Sequence, residues 1–329
     1  MEDNYQAKDF NKSVFIGFDG HYGGDEYEKA LFEKLIKNNP LWNLSKINVK
    51  RKGGVKSVPG FLKLIFKGYF TKGNIIRPFG IPILRNNMTI IFHHFDQTGS
   101  PFYTKIIEVV DYQLIKFFSK FLHIKIITVA DYWSEWVYKH FKLRSYVIYN
   151  EVNINIMSFK SKKDLAIKYD LSEEKQWIFL GGNQTKKGGC IVIDYLKSKK
   201  GYNFQNIQLI QSGSQLSDNN ELYTVKWISD EDYLSFIESC DLVVANSQFE
   251  EGWCRIIHEA SLLNVSVAGS GKGGMGELLN LVNHKANYSI EEIFHLIINK
   301  DLRVTPDADA LLELKRLSDK NIKRWSQSV

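Results

Sequence analysis

Cysteine is scarce: Cys190, Cys240 and Cys254 are the only three in 329 residues, too far apart for a CxxC pair and odd in number. A disulfide-stapled scaffold is thereby excluded, and a reduced, cytosolic compartment is expected. Long apolar runs are lacking as well; no stretch reaches the ~20 uncharged apolar residues that span a bilayer. Met1 to Lys12 is polar and mixed in charge, without the apolar core of a signal peptide. Short-period repeats and low-complexity tracts do not occur. His93 and His94 stand apart from other histidines, and no aspartate-rich loop lies near them, so no metal site is spelled out. The formal charge is a modest +6, and no nucleic-acid partner is expected. That charge is unevenly spread: from Arg51 to Lys72 there are six basic residues, Arg51, Lys52, Lys56, Lys63, Lys67 and Lys72, and no Asp or Glu.

What is present reads as an ordinary globular chain, 44% hydrophobic and 24% charged, long enough for two domains of ~150 residues each. Ser13–Phe18 reads as a buried strand. It enters a glycine-rich turn, Asp19 to Gly24, and then a helical stretch from Asp25 to Lys37, the opening of a doubly wound sheet. Strands are predicted at Met88–His93, Lys125–Ala130 and Tyr146–Tyr149, with helices at Tyr103–Leu122 and Asp131–Phe141. After Asn150 the pattern loosens into a polar joint.

Alternation restarts with strands at Trp177–Leu180, Ile207–Gln211, Tyr223–Trp227, Leu242–Ala245 and Val265–Ala268. Helices are predicted at Cys190–Ser198, Asp230–Ser239 and Trp253–Leu263. A glycine cluster, Gly269 to Gly276, leads into Glu277–Leu281. Two such βα series predict an α/β protein with two Rossmann-like domains facing an interdomain cleft. The expected division is an N-terminal domain over 1–155 and a C-terminal domain over 156–305. A C-terminal helix over 306–329 is placed to pack back on the first domain.

Within the acid-free segment, Leu62, Ile65, Phe66, Tyr69 and Phe70 share one helical face, with Lys63 and Lys67 opposite. Two readings follow. The stripe rests on an anionic membrane surface, or it faces the core with a solvated lysine side.

The sharpest signal is Asn246-Ser-Gln-Phe-Glu-Glu251-Gly-Trp-Cys-Arg-Ile-Ile-His-Glu259-Ala260. If the turns between Glu251 and Glu259 are helical, the two carboxylates stand roughly 12 Å apart. That suits two ends of an extended ligand and not a glycosidase pair, whose carboxyls lie roughly 5 to 10 Å apart. Backbone N–H groups at Gly252, Trp253 and Cys254 would open the helix, and a helix start attracts phosphate. Spacing alone fits equally a helix whose acids favour its first turns.

This stretch resembles the E-x7-E signature of the group 1 glycosyltransferases (family 4, retaining, GT-B fold). Other elements fall in that family's order. Val147–Asn150 resembles the interdomain element, and Phe179–Gly188 the lysine-bearing glycine loop. Leu209–Gly213 is similar to the strand and turn before the nucleotide pocket. Val225–Leu234, with Ile228, and Gly271–Glu277 resemble the loops that follow.

The resemblance implies that Glu251 contacts the donor sugar and Glu259 the ribose hydroxyls. Lys187 with Lys186 would neutralise the diphosphate. Amides of Gly252, Trp253 and Cys254, with Gly213 and Ile228, would complete the donor pocket. No metal or other cofactor is implied. In the N-terminal half, Gly23 and Gly24 fall at the acceptor-side loop, and His93 or His94 where the family has a histidine reaching the donor sugar. His258 reads as packing.

The implied activity is transfer, with retention, from a nucleotide-diphosphate sugar to a glycan or lipid-linked acceptor in cell-surface polysaccharide assembly. The expected location is cytoplasmic, at the inner face of the membrane through residues 51–72.

Departures are visible. Gly182 and Asn183 stand where the first loop keeps an arginine, Cys254 replaces a glycine, and Trp253 a phenylalanine. Glu151 and Asn153 stand where the family has glycine and aspartate after Asn150. These motivate an alternative: a non-catalytic nucleotide-sugar-binding subunit supporting a partner enzyme. A nicotinamide-dependent enzyme ranks last, since Ile47–Arg51 is basic where an acidic ribose-binding residue is wanted.

Overall fold

The computed structural model describes residues 12–19, 23–38, 43–50, 56, 58–95, 102–150, 152, 154, 159–213, 222–304 and 306–327. Gly20–Tyr22, Arg51, Lys52, Glu151 and Asn153 lie outside the described residues. The chain divides into two compact units, Met1–Glu151 with Lys315–Val329, and Val152–Leu314.

The first unit is built on strands β1 (Lys12–Asp19), β2 (Asn43–Lys50), β3 (Asn74–Pro78), β4 (Met88–Phe92), β5 (Ile124–Thr128) and β6 (Ser145–Val147). All are parallel, in the order β2-β1-β3-β4-β5-β6. Continuous apolar runs such as Met88–Phe92, buried at every position, suit a sheet covered on both faces. Helices α1 (Gly23–Asn38), α2 (Val58–Phe70), α3 (Phe102–Phe118) and α4 (Asp131–Phe141) make the crossovers. From β1 the chain steps one way to β2 and then back past it to β3. Right-handed crossovers then put α1 on one face and α2, α3 and α4 on the other.

The second unit carries α5 (Lys162–Tyr169), β7 (Gln176–Gly182), α6 (Gly189–Ser198), β8 (Ile207–Ser212), β9 (Tyr223–Lys226) and α7 (Tyr233–Glu238). It continues through β10 (Leu242–Ala245), α8 (Arg255–Leu262), β11 (Val267–Gly269), α9 (Gly274–Asn283) and α10 (Ile290–Ile298), and α11 (Ala308–Gln327) follows. Its sheet is parallel in the order β11-β10-β7-β8-β9. Ile178, Leu180, Leu209 and Val244 on the strands pack with Val192 and Leu196 of α6 and with Ile293, Phe294 and Ile297 of α10. The helix α11 straddles the division at Leu314. Its later residues hold to the first unit: Tyr149 N donates to Ser318 Oγ (3.1 Å) and Asn321 Nδ2 to Val147 O (2.6 Å).

Several sequence expectations move. The helix expected from Trp253 begins at Arg255, and that expected over Asp230–Ser239 shrinks to Tyr233–Glu238. Gly23 and Gly24 are the first residues of α1, and α9 begins within the glycine cluster, at Gly274. α2 faces the core, but not through the apolar stripe expected to do so. Leu64 and Gly68 are its buried residues, while Leu62, Phe66, Tyr69 and Phe70 are exposed.

Candidate functional site

In the second unit the chain leaves β7 toward β8 on one side and β10 toward β11 on the other. Loops after β7 and β10 therefore diverge, and the gap at their carboxyl ends is where open parallel sheets hold ligands. A 3-10 turn, Thr185–Lys187, follows β7; the loop after β10 carries Glu251. Lys187 Nζ lies 2.7 Å from Glu251 Oε1, and Ser247 Oγ donates to the same oxygen.

Local chemistry fixes both loops. Gly188 has φ +68°, and a Cβ there would fall 2.0 Å from Asn246 O; only glycine permits so close a backbone approach. Asn246 Nδ2 donates to Gly188 O (3.2 Å) and Gln248 N to Lys186 O (2.8 Å). On the other side Glu251 N donates to Lys272 O (3.2 Å) and Gly274 N to Glu251 O (2.9 Å). Gly273, at φ +67°, makes room: a Cβ there would fall 2.4 Å from Glu251 O. Glu251 is thus held through its backbone as well as its carboxylate.

Burial is the largest single influence on the Lys187 ammonium and disfavours it, but the Glu251 charge, the nearby Cys254 and the hydrogen bond to Glu251 together outweigh it, and the Lys187 pKa rises above its usual value. Lys187 keeps 36% of its side-chain surface exposed and Glu251 11%, so the ammonium is charged and within reach of solvent. Lys186 Nζ and Lys187 Nζ both stand over the Phe249 ring, 4.7 and 5.0 Å from its centroid. Two cations at one aromatic ring make a positive spot beside a carboxylate, which suits a ligand that carries both phosphate and hydroxyl groups.

Glu259 is one turn into α8 and buried. Tyr233 Oη donates to its Oε2 (2.9 Å) and Arg255 Nη2 to its Oε1 (3.0 Å). Burial raises the Glu259 pKa against the pull of Arg255, and pushes the Tyr233 hydroxyl well above its ordinary value. Because Glu251 to Cys254 is not helical, the 12 Å helical separation expected of the two glutamates does not apply. The amides expected to open the helix at Gly252, Trp253 and Cys254 shift too. Cys254 is the N-cap, with no side-chain cap, so the N–H groups of α8's first turn begin there. Burial pushes the Cys254 thiol up to about 12, which keeps it protonated and unreactive. Gly252 and Trp253 are buried, and Trp253 Nε1 donates to His258 Nδ1 (3.1 Å). Gly213 follows β8 and donates to Lys226 O (3.1 Å), and the buried Ile228 follows β9; both sit at carboxyl ends of the same sheet.

In the first unit, Gly23 and Gly24 open α1, which delivers Tyr27 and Glu28 to the end of β4. There His93 Nε2 lies 3.2 Å from Glu28 Oε1, and the Tyr27 ring meets the imidazole edge-on at 5.2 Å. His94 follows, half-buried.

No family model matches the chain. An uncharacterized glycosyltransferase of Methanocaldococcus jannaschii is 28% identical over 194 residues, which cover 55% of this chain and 52% of that protein. The chain thus spans about half the length of that curated relative. Solved structures align over almost all of it. Sucrose-phosphate synthase from Thermosynechococcus elongatus gives a TM-score of 0.61 at 13% identity, covering 97% of this chain and 94% of that one. Trehalose-6-phosphate synthase OtsA gives 0.61 at 10%, covering 96% and 97%. The chain has the GT-B fold. A further GT-B structure, Anabaena HepE in complex with UDP and glucose, aligns at 0.60 and 16% identity over 96% of this chain and 95% of that one.

Each unit's candidate residues have partners that sequence reading passes over: Ser247 on Glu251 and Tyr233 and Arg255 on Glu259 in the second unit, and Glu28 on His93 in the first. Arg255 and Glu259 are four apart on one helix, a pairing visible in the sequence. Tyr233 and Glu28 reach their partners from separate elements, and nothing local marks them.

Proposed function

We propose that this protein is a glycosyltransferase that moves a sugar, with retention, from a nucleoside-diphosphate donor to a glycan or lipid-linked acceptor. The Lys187–Glu251 contact at the strand-order reversal of the second unit carries the reading. A charged lysine there stands in for nothing structural in the sheet, and its carboxylate partner is replaceable by a diphosphate. UDP and glucose are what Anabaena HepE holds in its complex, and the shared GT-B fold supports a like donor here.

In this reading Lys187 and Lys186 meet the diphosphate together with the first-turn amides of α8. Glu251 accepts a donor-sugar hydroxyl. Glu259, oriented by Tyr233 and Arg255, accepts the ribose hydroxyls. The bond from the anomeric carbon to the phosphate oxygen breaks while the acceptor oxygen bonds to that carbon on the same face. The acceptor proton passes to the departing diphosphate. Positive groups already in place where the leaving charge grows lower the barrier. His93, braced by Glu28, and His94 are the first unit's candidates for contact with the donor sugar, and Gly23 and Gly24 its candidates for the acceptor. The exposed apolar stripe of α2, beside Lys63 and Lys67, supports peripheral attachment at the inner membrane face and a role in cell-surface polysaccharide assembly.

The test is a panel of UDP-, GDP-, ADP- and dTDP-sugars, with anomeric configuration read by proton NMR. Turnover of one donor is expected, reduced at least ~100-fold in Glu251→Ala. Gly182–Asn183, in place of the loop arginine, favours the second reading of a nucleotide-sugar-binding subunit; binding without turnover identifies it. Absence of binding to every donor defeats both.

A further inference from the structure

The apolar exposure on the first unit is not confined to α2. Along α3, Phe102, Ile106, Val110 and Phe117 are exposed, as is Phe121 in the turn beyond. At helical spacing the four helical positions fall within an arc of roughly 80°, whereas the buried residues of α3, Asp111 and Ile115, fall on the opposite side. The helix is therefore seated on the sheet by a narrow strip and turns an aromatic ridge outward. Contiguous exposed ridges of this kind mark interaction sites.

α3 and α2 lie on the same face of the sheet, and one connecting segment fastens both. Tyr69 Oη, at the end of α2, donates to Pro82 O, and Leu84 N donates to Tyr69 Oη (3.4 Å each). Asp111 of α3 accepts from Gly80 N (2.8 Å) and forms a buried two-bond pair with Arg77 (2.7 and 2.8 Å). Phe66 and Phe70 of α2, at 65% and 74% exposed, and Phe117 and Phe121, at 66% and 74%, thus belong to one two-ridged surface.

Its rim is cationic. Lys63, Lys67, Lys72, Lys116 and Lys120 are all exposed. α2 has no acid, and one of the two acids of α3, Asp111, is spent on Arg77. A second copy of the chain would set lysine rim against lysine rim, so self-association is disfavoured. An anionic bilayer complements both parts, taking aromatic side chains at the headgroup boundary and lysines at the phosphates. Among the described residues no helix is long and apolar enough to cross a membrane, so the contact is interfacial.

We infer that α3 is a second membrane-binding ridge, and that α2 and α3 together seat the first unit on an anionic lipid surface. The inference rests on the membrane attachment in the proposed function and is independent of the donor chemistry. The test is flotation of the full chain with phosphatidylcholine vesicles, with and without about 30 mol% phosphatidylglycerol. Three variants are compared: Phe117→Ser with Phe121→Ser, Phe66→Ser with Phe70→Ser, and Lys63→Gln with Lys67→Gln. All six positions are exposed, and an unchanged melting temperature verifies folding.

Each aromatic pair is expected to weaken partitioning about tenfold or more. The lysine pair is expected to weaken it about 25-fold, roughly fivefold per charge, on anionic vesicles only. Wild-type partitioning that survives Phe117→Ser with Phe121→Ser, but not the α2 changes, overturns the role of α3 and leaves the attachment through α2 standing. A wild-type chain that does not float at all overturns both, without touching donor turnover measured in solution. Dimerisation abolished by the α3 pair, with flotation unchanged, likewise overturns the inference.

Discussion

Replacing Gly273 by alanine tests whether Glu251 is held by its backbone. Gly273 lies at φ +67°, ψ −144°, a region almost closed to side chains, and a non-glycine residue there costs on the order of 1–3 kcal/mol. A Cβ would also stand 2.4 Å from Glu251 O and 2.8 Å from Glu251 N. Those are backbone atoms, which cannot rotate aside, so forced displacement adds on the order of 1–3 kcal/mol. The sum is about 4 kcal/mol, or a melting-point fall of roughly 12 °C in a unit of this size. Gly201 is the control: its φ is +90° and nothing lies within 4 Å of an added Cβ, so Gly201→Ala carries only the positive-φ cost, about 1 kcal/mol and roughly 3 °C. Differential scanning fluorimetry on both variants reads the difference. Nucleotide-sugar affinity should fall in Gly273→Ala alone, because Glu251 is displaced with its bridge to residue 273. Equal melting points within a degree or two, with equal affinity, would refute the reasoning.

Tyr233→Phe leaves Glu259 one donor short in a buried place and should cost about 1 kcal/mol in urea unfolding, with donor affinity lowered several-fold in titration calorimetry. Glu28→Gln should leave the melting temperature within a degree or two, yet lower turnover about tenfold, because His93 loses the carboxylate that orients its ring; unchanged turnover makes Glu28 purely structural. Burial alone would raise the Asp232 carboxyl, but hydrogen bonds from Lys160, Lys168 and Tyr169 hold it well below its ordinary value. A depressed carboxylate contributes stability above the unfolded value near ~4 that is lost as pH falls further. Asp232→Asn should therefore flatten the acid limb of a stability–pH curve.

Regular elements are legible where the pattern is local and apolar. Leu242–Ala245 forms a strand with the expected ends, since four consecutive apolar residues in mid-sheet leave no alternative. Arg77 hides β3, because a charged residue buried in a short strand is accommodated by a carboxylate thirty-four residues away, Asp111, together with the carbonyls of Pro78 and Ile83. α10 escapes a reading by periodicity, although its capping box, Ser289 with Glu292, precedes an apolar run and is readable in principle. Helix α8 starts two residues late because Glu251 bridges to Gly273 and the Trp253 indole to His258; tertiary bonds hold the chain extended where propensity continues a helix. The glutamates, Lys186 and Lys187 can be named from their order in the chain. That Lys187 meets Glu251 cannot, for the contact joins two loops through the order of strands.

Thermal-shift measurement with uridine, guanosine, adenosine and thymidine diphosphates, on wild type and on Lys187→Ala, tests the donor site most directly. At least one nucleoside diphosphate should raise the wild-type melting temperature, and the same ligand should bind Lys187→Ala about tenfold or more weakly. A shift of equal size in both proteins, or none in either, would contradict a diphosphate held at Lys187.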